Sequence, residues 1–546
     1  MKRTILILAS ALQLAVLSGC KEQLDVKNPN QPSPASASTE SGVISLAQGG
    51  VYVSGFKELK YYDGVPGRFW TGAVGFHELM GDIIGEEAAN QYGNQIGMPD
   101  YVILDDGTRV NNPSAVNTQV ALVRFVNVNA NAGANPLFFE WAYMYNLNNA
   151  MNSVLELAEK ASYGGDATIR KNTLKAWAYW WKGYAYSRIG SIYYAGVINN
   201  SVGVTNGNYV AKEKIIEEAN KNLDQAATLL SGLTNETNYT TVMKQLVPDF
   251  NQVGKGVIPA PDMWKRTINT LKARNILVNT TTKAMTAAQW GQILTLTNDG
   301  VKSTDNVFTG RSNDNGDFFS RIDGNLAGKT SSPGTPTGTY KISERLIQDF
   351  NKGDKRLDNN FTQLSAPAIF NSDRGNSFNT RWRLVDAGKG MAGVVVLSNQ
   401  AVGAYELYLS STYEENELMK AEAKIYTGDI AGGLASIDAV RTFQGAGLAP
   451  LADLTKEAAL EELRKERRVA LVFRGLSFYD ARRWGVIDDI SKGGGRKGAV
   501  IVDKAGKVST NGTINYNFLD YWDVPDNEVA YNPPAANSAP IKNPKQ

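Results

Sequence analysis

The chain has one cysteine, Cys20, and one histidine, His77, in 546 residues. A lone cysteine excludes an internal disulfide scaffold, and the two counts together exclude a zinc site built from several Cys or His ligands. A Ser–His–Asp or Cys–His machine would have to rest on His77 alone. An excess of one charge is also missing. Lys plus Arg is 56 and Asp plus Glu is 54, so no net field points to nucleic acid as a partner. Beyond the N-terminus, no apolar run reaches the ~20 residues that cross a bilayer. What is present is aromatic: 24 Tyr, 18 Phe and 10 Trp, in a chain long enough for a large core and for more than one domain.

The N-terminus accounts for the cysteine. Lys2 and Arg3 precede a mostly apolar run over residues 5–17, followed by Leu17-Ser18-Gly19-Cys20. The run is too short for a stable span and reads as a signal peptide. The small residues before Cys20 resemble the lipobox of bacterial lipoproteins, which implies removal of residues 1–19 and lipid on Cys20. An ordinary secretory signal ending near a cysteine is the other reading. Acyl chains contribute about 0.8 kcal/mol per buried methylene, so diacylation would hold the chain on a membrane. Loss of Lys2 and Arg3 brings the basic residues to 54, level with the 54 acidic ones. Lys21-Glu22-Gln23-Leu24-Asp25 resembles the surface-export signal of Bacteroidetes lipoproteins. Residues 20–40, rich in Asn, Pro and Ser, read as anchor and extended tether.

Apolar spacing predicts helices over residues 43–60, 138–160, 173–192, 213–231, 262–280, 286–301, 413–427, 431–443 and 455–474. In the third, Leu174, Trp177, Ala178, Trp181, Ala185, Ile189 and Ile192 recur at helical spacing, and Gly183 followed by Tyr186 suits close approach of a second helix. Trp177, Trp180 and Trp181 are expected in the core. Residues 61–136 show no sustained helical period, and 302–400 read as long loops with short strands such as 394–397. The tail after 486 reads as Gly-rich and then extended. Helical pairs loosely fit the tetratricopeptide pattern, clearest where Ala421, Gly433 and Ile437 flank the Gly428-Asp429 turn. Such pairs must stack on neighbours to bury their faces. The expected fold is therefore mainly α: degenerate tetratricopeptide-type pairs with a loop-rich region containing short strands. The domain reading is a signal peptide (1–19), a tether (20–40) and one ligand-binding domain (41–546). In that domain a helical scaffold over about 138–301 and 413–484 carries loop-rich insertions over about 61–136 and 302–400.

The last third carries a dense motif. Glu417-Leu418-Met419-Lys420-Ala421-Glu422-Ala423 is followed by Ile437-Asp438-Ala439-Val440-Arg441. Then come Leu463-Arg464-Lys465-Glu466-Arg467-Arg468 and Phe473-Arg474-Gly475-Leu476-Ser477-Phe478-Tyr479-Asp480-Ala481-Arg482-Arg483-Trp484. Val524-Pro525-Asp526 stands near the end. This order resembles the SusD/RagB family of Bacteroidetes outer-membrane lipoproteins. Arg474 departs from the acidic residue common before the Gly, and Val524 from the usual Ile. The motif reads as structural through Glu466, Arg467, Gly475, Asp480, Arg483 and Trp484. Leu460, Leu463, Arg467, Ala470 and Leu471 share a helix face, so Arg467 is expected to be buried and to need a carboxylate, Asp480 or Glu422. Gly475 is expected to end that helix in a left-handed conformation, and Trp484 to pack back on the core.

Other chemistry is thin. Glu86-Glu87 and Asp105-Asp106 are the nearest to a glycosidase pair, but neighbours in sequence usually point apart, whereas that chemistry needs two carboxyls roughly 5–10 Å apart across a bond. Asn313-Asp314-Asn315-Gly316-Asp317 fails as an EF-hand, because Arg311 and Ile322 stand where acids are required. Gly493-Gly494-Gly495-Arg496-Lys497 lacks the phosphate-loop spacing. His77, beside Glu78, reads as a local hydrogen-bonding residue. No catalytic residue, metal site or cofactor is expected.

Aromatic and amide-rich loops remain. Sugars stack on aromatic rings and hydrogen-bond to amides and charged side chains. Tyr62, Trp70, Tyr92, Asn94, Gln95, Tyr101, Phe319, Arg321 and Trp382 are the candidate ligand-binding residues. The family resemblance implies a non-catalytic surface lipoprotein that captures oligosaccharides, or in some members peptides. It also implies delivery to a SusC-like TonB-dependent transporter in the outer membrane. The alternative is a surface glycan hydrolase using a carboxylate pair.

Overall fold

The computed structural model describes residues 38–56, 74–86, 93–114, 116, 118–204, 206–252, 256–311, 340–369, 379–385, 395 and 406–545. In chain order the N-terminal half runs α1 (Glu40–Phe56), α2 (Val74–Met80), β1 (Ile84–Glu86), α3 (Gly93–Ile96), β2 (Tyr101–Ile103), β3 (Arg109–Asn111), α4 (Gln119–Val126), α5 (Pro136–Ala158), α6 (Ala167–Ile192), β4 (Ala195–Val197), β5 (Tyr209–Ala211), α7 (Lys212–Ser231), α8 (Thr237–Leu246), α9 (Pro261–Val278) and α10 (Ala287–Asn298). After these come β6 (Thr309–Arg311), β7 (Tyr340–Ile342), α11 (Glu344–Gln348), α12 (Lys355–Asn360), β8 (Phe361–Ala368), β9 (Thr380–Leu384) and β10 (Glu406–Tyr408). The chain ends with α13 (Tyr413–Tyr426), α14 (Ile430–Phe443), α15 (Lys456–Ala470), α16 (Ser477–Arg483), β11 (Arg496–Val502), β12 (Val508–Asn515) and α17 (Asp526–Val529).

Several helices start where a side chain satisfies their free N–H groups, although α7 and α9 have no such side-chain cap. Asp166 accepts from Thr168 and Ile169 at the start of α6. Asn135 caps α5 with Pro136 behind it, and Thr286 and Gln289 form a reciprocal capping box on α10. Such caps contribute about 1 kcal/mol each. The helices then stack in series. α1 packs on α5, α5 on α6, α6 on α7, α7 on α9, α9 on α10, and α10 on α13, which carries α14 and α15. The scaffold is therefore continuous across the 302–400 insertion, and Arg274 on α9 reaches Glu415 on α13 to seal the join. At Gly183 an added Cβ would lie 2.6 Å from Leu223 Cγ, and at Gly433 it would lie 2.4 Å from Ile425 Cγ1. Both glycines let the neighbouring helix pack closely, with the backbone carbonyls of Ala219 and Ala421 only 3.1 and 3.0 Å from where a Cβ would stand. Trp177, Trp180, Trp181 and Trp264 surround Phe308 in edge-on contacts of 5.1–5.6 Å or tilted ones, all buried. Burial of rings this large dominates core energetics.

Several sequence expectations change. Among the described residues, 61–136 holds three α-helices, α2, α3 and α4, each too short for a sustained period to register. The predicted 455–474 helix ends at Ala470. Gly475 is left-handed, at φ 69° as expected, but it serves the turn between α15 and α16 together with Phe473 at φ 59°. Trp484 is half-buried rather than in the core, with the Arg483 and Arg464 guanidiniums 4.6 and 5.8 Å from its ring. The extended tail is a β11–β12 hairpin that joins β2 and β3 in a four-stranded antiparallel sheet. Helix α8 has no counterpart in the sequence reading. Of the expected 394–397 strand only Val395 lies within the described residues, and it is not in a strand.

Candidate functional site

The motif side chains form a chain of buried ion pairs. Arg483 on α16 grips Glu422 on α13 with two bonds of 2.6 and 2.7 Å and turns its Nε to Asp480 at 2.8 Å. Arg467 on α15 donates to the other Asp480 oxygen at 2.8 Å. Of the two carboxylates expected for Arg467, Asp480 takes the role and Glu422 serves Arg483. Burial alone would raise Asp480, but the two guanidiniums outweigh it and hold the carboxyl below its usual range. Glu466 bridges Arg356 on α12 (2.6 Å) and Arg441 on α14 (3.0 Å). All these side chains are buried. Removing one member of such a pair costs about 3–5 kcal/mol by stranding the other.

This cluster also fixes the segment between two stretches outside the described residues, 57–73 and 87–92. Arg468 donates to the carbonyls of Gly81 and Asp82 at 2.6 and 2.9 Å. Asp82 receives Arg345 (2.7 and 2.9 Å), Ser343 (2.8 Å) and Tyr516 (2.5 Å). Glu78 accepts the Gly475 N–H at 2.6 Å and the Ser477 hydroxyl at 3.1 Å. Glu78 is fully buried, and burial pushes its carboxyl up to about 7 against these hydrogen bonds. His77, also buried, faces Glu140 Oε2 at 2.8 Å, while Arg188 Nε takes the other Glu140 oxygen at 2.6 Å. Burial lowers the imidazole pKa despite Glu140 and so favours the neutral ring, whose Nε2 faces both Glu140 Oε2 and, at 3.1 Å, Arg188 Nη2. His77, on α2, thus forms a structural triad with Glu140 and Arg188; the Ser477 hydroxyl donates to its backbone carbonyl at 3.0 Å, and among the described residues no hydroxyl or thiol hydrogen-bonds its ring.

The candidate ligand residues divide. Cys20, Tyr62, Trp70, Tyr92, Phe319 and Arg321 lie outside the described residues, and only the backbone of Asn94 is described, on α3. Gln95 is half-buried on the same short helix. Tyr101 lies on β2 with the Arg109 guanidinium 3.7 Å from its ring centre, so one face is covered. Trp382 is not in a loop. It sits on β9 opposite Gln363 of β8, half-buried, with its indole Nε1 buried and without a hydrogen-bond partner among the described residues. Tyr101 and Trp382 belong to different sheets. The strands β1, β6, β7, β8, β9 and β10 lie next to, or within one residue of, stretches outside the described residues. Asp105 is spent on the Thr510 and Asn511 N–H groups (2.8 and 2.9 Å), and Asp106 lies in solvent. A cleft of about 420 Å³ between α12 and α14, lined by Lys355, Asp438, Arg441 and Pro450 among others, has no aromatic wall for a sugar. Among the described residues no group of three His, Cys, Asp or Glu could hold a metal, and no helix is long and apolar enough to cross a membrane.

Comparison with known proteins gives this geometry a context. Residues 415–541 match the family model of the SusD family, SusD_RagB. No curated protein sequence matches the chain. A SusD-like carbohydrate-binding protein from Bacteroides fragilis is 15% identical, with 92% of this chain and 99% of that one aligned at a TM-score of 0.56. A SusD superfamily protein from Parabacteroides distasonis is 14% identical, over 90% of this chain and 98% of that one, at 0.58. A SusD superfamily protein from Bacteroides fragilis is also 14% identical, over 91% and 99%, at 0.58. The chain thus carries the sequence of the SusD/RagB family over residues 415–541 and has the SusD-like fold.

Proposed function

We propose that this chain is a non-catalytic, lipid-anchored protein of the outer membrane that captures oligosaccharides at the cell surface and hands them to a SusC-like TonB-dependent transporter. One observation carries the reading: the family sequence over 415–541 sits in a fold aligned with a carbohydrate-binding relative over 92% of the chain. The lipobox-like Leu17-Ser18-Gly19-Cys20 supports the anchor. The buried charges support the binding role physically. Their carboxylates are engaged by guanidiniums and N–H groups, which suits a rigid platform rather than acid–base work. Ligand capture then falls to the aromatic and amide side chains of the loop region.

Titration calorimetry of the purified protein against a panel of oligosaccharides and peptides tests this reading. At least one oligosaccharide is expected to bind, and Trp70→Ala and Trp382→Ala are each expected to weaken it about tenfold, the loss of one stacking contact of roughly 1.4 kcal/mol. Release of reducing sugar from the same panel would show a hydrolase instead. Unchanged affinity in both variants would move the site elsewhere.

A further inference from the structure

Lys182 is the one lysine of α6 that turns inward, 2% exposed in the helical stack. Its Nζ donates to Asn200 Oδ1 at 2.8 Å, in the loop between β4 and β5, and also contacts Asn152 Oδ1 on α5. The Asn200 amide nitrogen in turn donates to Glu218 Oε1 on α7 at 2.9 Å. The loop is held in place by side chains. Tyr186 bonds both the N–H and the carbonyl of Asn199 at 2.9 Å, and Tyr145 does the same for Val197 at 2.6 and 2.9 Å. An amine, an amide carbon and a carboxylate are therefore fixed in a row. Nζ lies no more than about 4 Å from Asn200 Cγ, since the C=O bond adds about 1.2 Å.

We propose that Lys182 and Asn200 join in an intramolecular amide cross-link, with Glu218 as the proton shuttle. The uncharged Nζ attacks Cγ and a C–N bond forms. Glu218 takes the proton from Nζ and passes it to Nδ2. The Cγ–Nδ2 bond breaks and ammonia leaves, so one amine and one primary amide give one secondary amide and ammonia, with no oxidant. Three observations favour this pair. Burial lowers the Lys182 amine to about 8, so an uncharged fraction exists near neutrality. The product replaces a buried charge with a neutral amide, removing the cost of holding an ammonium out of water. Asn200 is exposed, which gives ammonia an exit, while Lys182 is not. Asn152 is the poorer acceptor, because its amide nitrogen donates to the Asn199 carbonyl, which cannot move a proton. The other groups beside Glu218 are Lys221, 3.5 Å from Oε2, and Asn222, whose amide donates to Oε1 at 3.1 Å. Neither blocks Oε1 from Asn200. In a chain with a single cysteine, such a bond would pin the loop to α6 without a disulfide.

Tryptic mapping of the full-length protein purified from membranes, held at mildly alkaline pH, tests this. A free Lys182 is cut to give peptides 176–182 and 183–188, with Asn200 in a separate peptide, 189–212. The cross-link instead leaves 176–188 uncut and joined to 189–212, about 17 Da lighter than their sum, the mass of ammonia lost in the acyl transfer. Fragmentation should place the junction on Asn200. Glu218→Gln, folded by circular dichroism, should lose the joined species. Free peptides of full sequence mass from the parent protein overturn the proposal, as does a junction to peptide 125–160, which contains Asn152. Survival of the link in Glu218→Gln overturns the assigned shuttle. If that variant fails to fold, the parent digest decides alone.

Discussion

At the scale of single residues, the unusual feature is how much charge lies inside. Arg345, Arg356, Arg467 and Arg483 are among the largest fully buried side chains, and each is matched to a carboxylate. Glu78 differs because N–H and O–H donors hold it and, among the described residues, no cation is paired with it. Burial raises it from 4.5 to about 7, so between those values the folded chain keeps a proton that the unfolded chain has released. Its stabilising contribution is full below pH 4.5, fades as pH rises through 7 and is then level. Glu78→Gln removes this titration. Urea unfolding at a series of pH values should show the parent losing about 3 kcal/mol more than the variant between acid and pH 8. Identical pH slopes would mean that Glu78 stays charged throughout.

At the scale of elements, the α6–α7 contact depends on what Gly183 lacks. Any Cβ there meets Leu223 at 2.6 Å and the Ala219 carbonyl at 3.1 Å, and one of those is backbone. Gly183→Val should therefore push α7 away and cost about 1–3 kcal/mol or more, the usual range for overpacking. A lowered melting temperature with unchanged helix content by circular dichroism is the expected result. An unchanged melting temperature would show that the α6–α7 spacing is free to adjust. Here the sequence already indicated close approach, through the Gly183–Tyr186 spacing. It did not indicate the partner helix, because periodicity within one helix carries no information about its neighbour.

At the scale of the whole molecule, the long helices before residue 302 and α13, α14 and α15 after residue 412 form one stack. The proposed anchor lies at the far N-terminus, and the chain enters the described fold at Ser38. Thr39 pairs with Ser162, and Glu40 binds Arg170, at the α5–α6 end of the stack. Cys20→Ala should shift the protein from the membrane fraction to the soluble fraction on cell fractionation, because one changed residue removes the acyl chains that hold it there. Retention in the membrane fraction would mean that another element anchors it.

What the sequence alone determined was local. Helical periods placed the long helices to within a few residues, and Arg467 on an apolar face announced a buried carboxylate. The order of motif residues pointed to the family whose model matches 415–541. Short helices such as α2 escaped because a single turn or two leaves no period. The β11–β12 hairpin did not announce that it would pair with β2, some 400 residues earlier, since strand pairing is set by what closes on what. The tertiary structure also decided which carboxylate each arginine takes, that His77 belongs to Glu140, and that Trp382 lies on a strand. It alone brought Lys182, Asn200 and Glu218 into one row. Those outcomes follow from desolvation: once a charge is carried into the core it must find a partner there, and only the packed chain fixes which partner is within reach.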